Sequence, residues 1–188
     1  MKTMAYIFGQ PGSGKTTLVS EILREMGAKK LYDAKSPIQH RGFSCTGGVF
    51  AVLGSDAYPF GGTDTLSYTS VSTCHKWLKE LSLCSSGGMV LAEGDRLANR
   101  TFFSEARKIY DLHLFYLKCP DEIAKQRRQE RALEHKLNLQ NTSWVSGRIT
   151  KSKNLAATEN VYCVDSSSSP SIMAKFILSR WIPGSYSA

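Results

Sequence analysis

The sequence predicts an α/β fold: a parallel sheet of five strands flanked by helices on both faces. Three observations predict it. Short apolar runs alternate with helix-length segments through most of the 188 residues. The first apolar run leads into a glycine-rich loop, and the loop into an amphipathic helix. Hydrophobic residues make up 41% and charged residues 21%, a globular balance that excludes wholesale disorder. A chain of this length buries a core without metal or disulfide staples. The expectation is one domain over residues 1–188, with a glycine-rich excursion near 37–62 and a basic lid region near 120–156.

Each element has its own signal. Residues 4–8 form a short apolar strand. Residues 15–26 place Leu18, Val19, Ile22, Leu23 and Met26 on one helical face, and Gly27 ends that helix. Residues 30–32 read as a weak second strand. The stretch 37–62, rich in Gly, Ser and aromatics, contains a strand-like run at 49–53 and reads as a hairpin or irregular excursion from the sheet. A helix follows over 68–83, then a buried strand at 89–92, a helix at 101–110 and a strand at 112–117. Pro120 opens a long basic helix, as proline at a first helical position commonly does. A last strand at 161–164 and a closing helix at 170–181 complete the alternation. In such sheets ligands bind beyond the carboxyl ends of the strands.

The five cysteines, Cys45, Cys74, Cys84, Cys119 and Cys163, are odd in number and contain no Cys-x-x-Cys pair. That argues against a disulfide framework or a structural zinc site. No apolar run approaches the length of a membrane span, and the first apolar run is too short for a secretory signal, so an intracellular protein is expected. Lys and Arg number 24 against 16 acids, a net charge of +8. The excess favours a polyanionic partner such as nucleic acid, the alternative being a soluble basic surface; no membrane partner is expected.

The strongest motif is Gly9-Gln10-Pro11-Gly12-Ser13-Gly14-Lys15-Thr16, a full match to G-x-x-x-x-G-K-[ST]. Its chance occurrence somewhere in a chain this long has a probability of about 0.006. It also stands in the required setting, between an apolar strand and an amphipathic helix. The glycines let backbone N–H groups converge on phosphate oxygens, and the helix N-terminus adds its dipole. Lys15 reaches the β- and γ-phosphates and the Thr16 hydroxyl ligates Mg²⁺; Thr17 follows in the same turn. No Asn-Lys-x-Asp guanine signature is present, which favours ATP.

Three further groups accompany the loop. Glu93-Gly94-Asp95-Arg96 ends the buried strand at 89–92 with two acids and an arginine. Glu93 is the candidate Mg²⁺ carboxylate, with Asp95 further into the loop and Arg96 placed to grip a phosphate. Phe60-Gly61-Gly62-Thr63-Asp64-Thr65-Leu66-Ser67 reads either as a turn and helix cap or as a substrate-side loop. In the second case Asp64 takes the proton of an attacking hydroxyl, with Asp33 a rival base. Residues 123–153 carry eight Lys and Arg residues against Glu130 and Glu134. Among them, Trp144, Arg148, Lys151 and Lys153 mix an aromatic with basic side chains, which suits a nucleic-acid strand.

The Glu-Gly-Asp-Arg element resembles the Asp-Arg and Glu-Arg elements of nucleoside and nucleotide kinases. The ordered set over residues 9–156 resembles the bacteriophage P-loop kinases of thymidine hypermodification, the 5-hydroxymethyluracil DNA kinases. That set is the phosphate loop, Gly-Gly-Thr-Asp-Thr-Leu-Ser, Glu-Gly-Asp-Arg-Leu, Arg-Arg-x-x-Arg, Trp-x-x-Gly-Arg-x-Thr-Lys and Asn-Leu-Ala. The resemblance implies ATP-dependent phosphorylation of the base hydroxymethyl group in DNA, with ATP and Mg²⁺ as cofactors, in the cytoplasm of an infected host. It implies that arginines of the lid, Arg127 and Arg131 among them, contact ATP phosphates. Two other functions fit the residues: a kinase of a free nucleotide or small metabolite, and a DNA-binding ATPase without kinase activity.

Overall fold

A computed structural model describes residues 2–56, 60–67, 69–84 and 88–182. Its elements run β1 (Thr3–Phe8), α1 (Lys15–Glu25), β2 (Lys29–Ala34), β3 (His40–Cys45), β4 (Gly48–Leu53), α2 (Ser70–Leu83), β5 (Met89–Glu93), α3 (Arg100–Arg107), β6 (Asp111–Lys118), α4 (Asp121–Glu134), α5 (Thr142–Thr158), β7 (Tyr162–Asp165) and α6 (Pro170–Trp181). A 3-10 turn at Thr63–Thr65 precedes α2.

The α/β class holds, but among the described residues the sheet has seven strands rather than five. Their order is β2-β3-β4-β5-β1-β6-β7. The strands β4, β5, β1, β6 and β7 are parallel, while at one edge β3 runs antiparallel between β4 and β2. Hydrophobicity explains the exchange of places. Lys29-Lys30-Leu31-Tyr32-Asp33-Ala34 is too polar to be covered on both faces, and β2 is exposed along its length. The apolar residues of β4 from Phe50 to Leu53 are buried instead. A parallel strand covered by helices needs that near-continuous apolar run. The excursion at 37–62 is thus a β-hairpin, which widens the sheet and delivers its fifth parallel strand.

β1 lies inside the sheet between β5 and β6 and is buried throughout. Alternation sends Met4, Tyr6 and Phe8 to one core and Ala5 and Ile7 to the other. The first core packs Phe102 and Phe103 of α3 and Trp77 and Leu78 of α2 against the sheet. The second packs Leu18 and Ile22 of α1 against Ile177, Leu178 and Trp181 of α6. Full burial of each such side chain contributes about 1.5–3 kcal/mol. The basic region expected as one long helix is two, α4 and α5, separated by residues 135–141. Asn141 starts α5 by accepting hydrogen bonds from the N–H groups of Ser143 (2.9 Å) and Trp144 (3.1 Å). Among the described residues no helix is long and apolar enough to cross a membrane.

Candidate phosphate cleft

β1 and β5 end side by side, with Ile7 in register with Glu93. The loop after β1 and the acid at the end of β5 therefore meet at the carboxyl edge of the sheet. Together with α4, α5 and the β3–β4 hairpin they enclose a cleft of about 1060 Å³.

The loop is held from behind by the root of the lid. Gln10 Nε2 donates to Cys119 O at 2.7 Å and to Asp121 Oδ1 at 3.1 Å. Arg128 donates to Pro11 O at 2.7 Å. Arg127 donates to Ser13 O at 3.3 Å and to Ser166 O at 3.4 Å. Gly12 has φ +84°, and a Cβ there would come within 2.3 Å of Ala124 O on α4. Only glycine combines that backbone with so close an approach. Gly14, at φ +92°, turns the chain into α1. The Lys15 ammonium donates to Gly9 O and Gln10 O, each at 3.1 Å. Lys15, Thr16, Thr17, Gly9, Pro11, Gly12 and Gly14 line the cleft.

Thr16 donates its hydroxyl to Glu93 Oε1 at 2.8 Å. Glu93 is buried, and burial pushes its carboxyl above the ordinary range, partly offset by the Lys15 charge and the Thr16 hydrogen bond. A hydroxyl and a carboxylate are hard oxygen donors of the kind Mg²⁺ takes. Among the described residues no group of three or more His, Cys, Asp or Glu side chains could hold a metal. Mg²⁺ is commonly held by one or two carboxylates together with substrate phosphates and water. Glu93→Gln should raise the Mg²⁺ concentration for half-maximal activity by roughly tenfold or more, a loss typical of weakened metal coordination. ATP binding without metal should change little. Its stability should respond to pH. Glu93 ionises at higher pH in the folded than in the unfolded chain, so its burial is a penalty above the folded pKa. The penalty vanishes below about pH 4, near the unfolded value. Melting curves should therefore show Glu93→Gln gaining on the wild type as pH rises above the unfolded-state value near about 4.

The glycine-rich loop packs onto this corner. Gly62 approaches so closely that a Cβ would lie 2.3 Å from Glu93 Oε1. Tyr6 OH lies 3.2 Å from Thr63 Oγ1 and donates to Gly94 O at 3.2 Å. Burial raises the Tyr6 phenol well above its usual range. Asp64 Oδ1 accepts from the backbone N–H groups of Asp95 (2.8 Å) and Arg96 (3.1 Å). Both Asp64 and Arg96 line the cleft, and Arg96 reaches Asp64 O at 3.5 Å. Asp95 is gripped from α5. It pairs with Arg148, while Lys151 Nζ lies 3.1 Å from its Oδ1 and donates to its carbonyl at 2.8 Å. Trp144, Arg148 and Lys151 stand on one face of α5 at helical spacing. The Arg148 guanidinium lies 5.3 Å from the Trp144 ring centroid, and Trp144 is 42% exposed.

Other expected site residues lie elsewhere. Asp33 sits on the edge strand β2, 2.9 Å from Lys30 Nζ, and does not line the cleft. Lys153 is exposed beside Asp121 at 3.7 Å, also outside the cleft lining. Arg131 lines the cleft, with its guanidinium 4.8 Å from the centroid of Phe60. Sequence reasoning missed Arg41 and Asp56 as cleft residues, while Phe60 belongs to the loop read as substrate-side. Their signal was weak: Arg41 is one basic residue in a hairpin whose pairing decides where it points.

A sequence family described as P-loop Nucleotide Kinase3 matches residues 1–168. No curated protein matches in sequence. In structure the chain is similar to a sugar kinase from Janibacter sp., at 16% identity and TM-score 0.56 with both chains fully covered. It is also similar to a gluconokinase from Sinorhizobium meliloti, at 14% identity and TM-score 0.54, covering 95% of this chain and 92% of that one. These likenesses show the fold alone; the family match, together with the phosphate loop, supports an ATP-dependent phosphotransferase. The chain belongs to the P-loop nucleotide kinase family.

Proposed function

We propose that the chain transfers the γ-phosphoryl group of ATP to the hydroxymethyl group of 5-hydroxymethyluracil in DNA. The observation that carries this reading is the half-exposed Trp144 ring, paired with Arg148 at the phosphate cleft of a chain with net charge +8. An exposed aromatic beside cations is a platform for a nucleic-acid base. The ordered motifs over residues 9–156 support the same acceptor.

A primary alcohol is a weak nucleophile, so the work of the site is alignment and charge neutralisation. The loop amides and Lys15 hold the transferring phosphoryl group. Thr16 and Glu93 are the residues that would hold Mg²⁺, which would supply charge neutralisation to the transferring phosphoryl group. Asp64, at the cleft surface, takes the hydroxyl proton. Asp95, fixed by Arg148 and Lys151, orients the loop that carries Arg96. Arg127 and Arg131 face the nucleotide from the lid.

The test is incubation with γ-labelled ATP and a panel of modified and unmodified DNAs, followed by nucleoside analysis. Label in 5-hydroxymethyluracil DNA and not in thymine DNA is expected. Hydrolysis stimulated by plain DNA without incorporation would replace the kinase by a DNA-dependent ATPase. A second reading, a kinase of free nucleotides, is favoured by one observation: Arg148 and Lys151 turn inward to Asp95 rather than outward to a polymer. Salt dependence separates the two. A DNA kinase should lose log affinity for duplex at about 0.9 per contacted phosphate per decade of salt. Lys153→Ala, outside the cleft lining, should flatten that slope by about one unit. A slope near zero with full activity on the free nucleotide would establish the second reading.

A further inference from the structure

We propose that Arg41 forms an anion subsite for the phosphoryl acceptor, so that the acceptor carries a phosphate group in addition to the hydroxyl that is phosphorylated. The inference rests on the phosphotransferase reading of the cleft but not on the hydroxymethyl acceptor.

Topology puts Arg41 on the acceptor side. It stands on β3 in register with Val52 of β4, which is in register with Leu91 of β5. The lid helix α4 follows β6, across β1 on the other side of β5. Lys15, Arg127 and Arg128 are committed to the phosphate loop. Arg41 lines the same cleft from the opposite wall. Two strand spacings, about 10 Å, separate its backbone from that of Leu91, two residues before Glu93.

The side chain is built as a receptor. Arg41 is only 6% exposed. Its Nε donates to Gly54 O at 3.3 Å, and its guanidinium lies 5.8 Å from the Phe43 ring centroid. The strand beneath is fixed: Tyr32 packs where a Cβ on Gly42 would sit, and the buried His40 lies between Tyr32 and Trp77. The carboxylate beside Arg41 is a poor counter-charge. Asp56 Oδ2 is 3.6 Å from Arg41 Nη1 but 3.0 Å from Lys30 Nζ, and its side chain is 59% exposed. Shared, solvated pairs of this kind contribute little. Burial accordingly lowers the Arg41 pKa from its ordinary value, although a guanidinium remains charged. A buried, oriented guanidinium facing a cleft matches a phosphate through its planar fork. The phosphate could belong to a free nucleotide or to a nucleic-acid strand.

The experiment uses the full chain with a non-hydrolysable ATP analogue saturating the phosphate loop, and labelled inorganic phosphate as probe in equilibrium dialysis. The wild type should bind phosphate. Arg41→Gln should bind it at least about tenfold more weakly, as loss of a charge-assisted contact implies, with analogue affinity unchanged. Arg41→Lys keeps charge and approximate size but loses the fork, and should bind phosphate several-fold more weakly. Wild-type phosphate affinity in either variant overturns the subsite. So does a raised KM for ATP with an unchanged KM for acceptor. Steady-state kinetics then distinguish the sources. Arg41→Gln should raise KM for 5-hydroxymethyldeoxyuridine monophosphate, or for an oligonucleotide containing that base, but not for the nucleoside. Whichever phosphate-bearing acceptor shows the larger effect identifies the source. If none of the three is phosphorylated while phosphate binding still depends on Arg41, the hydroxymethyl acceptor fails and the subsite stands.

Discussion

Lys15→Ala is expected to lower kcat by at least about 10²–10³-fold, the loss that follows removal of one electrostatic contact to a transition state, about 3–4 kcal/mol. The ammonium is buried and held by the Gly9 and Gln10 carbonyls at the mouth of the loop. It is therefore oriented before a nucleotide arrives, and its charge need not be recruited during the reaction. Its positive charge also lowers the carboxyl pKa of the buried Glu93. Removing it should push Glu93 toward protonation and weaken the oxygen pair proposed for Mg²⁺, so the variant should lose both charge neutralisation and metal affinity. The fold should survive, because the core of α1 is carried by Leu18, Val19 and Ile22. Single-turnover transfer alongside a melting curve checks both parts. Near-wild-type turnover in a clean preparation would remove the phosphate loop from the reaction.

The parts of this site that were legible in sequence are those built from contiguous residues. The run Gly9–Thr16 states its own geometry, because turn, amide convergence and helix start all lie within eight residues. Glu93 was legible because it ends a buried apolar strand, and such strands end at the ligand edge of a parallel sheet. What was not legible depends on pairing between distant segments. The polar β2 could not be placed by periodicity, since an edge strand exposed along its length shows no buried face. Once β3 and β4 pair, Arg41 enters the cleft, but nothing in His40-Arg41-Gly42-Phe43 announces it. The roles of Arg148 and Lys151 were half legible. Their segment mixes basic residues with Trp144, but only the structure shows that the three share a face of α5 and that this face meets Asp95. A basic face looks alike in sequence whether its partner is a polymer or an aspartate of the same chain.

Asp64→Asn is the substitution that divides a chemical role from a structural one, and it should lower kcat by roughly 10²–10⁴-fold if Asp64 takes the acceptor proton. The side chain has a structural duty: Oδ1 accepts from the N–H groups of Asp95 and Arg96 and so shapes the turn after β5. Asparagine keeps an Oδ1 acceptor for those N–H groups while losing the carboxylate. Its melting temperature and its KM for ATP should therefore stay close to wild type, and the whole effect should fall on the chemical step. Asp64→Ala removes both functions. It leaves two N–H groups without their acceptor, and should add a loss of stability of about 1 kcal/mol or more. Asp33→Asn should leave turnover unchanged, because Asp33 is exposed on the edge strand beside Lys30 and outside the cleft lining. Single-turnover rates for the three variants settle the assignment. An unaffected Asp64→Asn with a collapsed Asp33→Asn would move the base to β2. Equal losses in Asp64→Asn and Asp64→Ala with intact folding would place the whole contribution of Asp64 in its charge. A loss confined to Asp64→Ala would make it a brace for the Asp95 turn and leave proton removal to water.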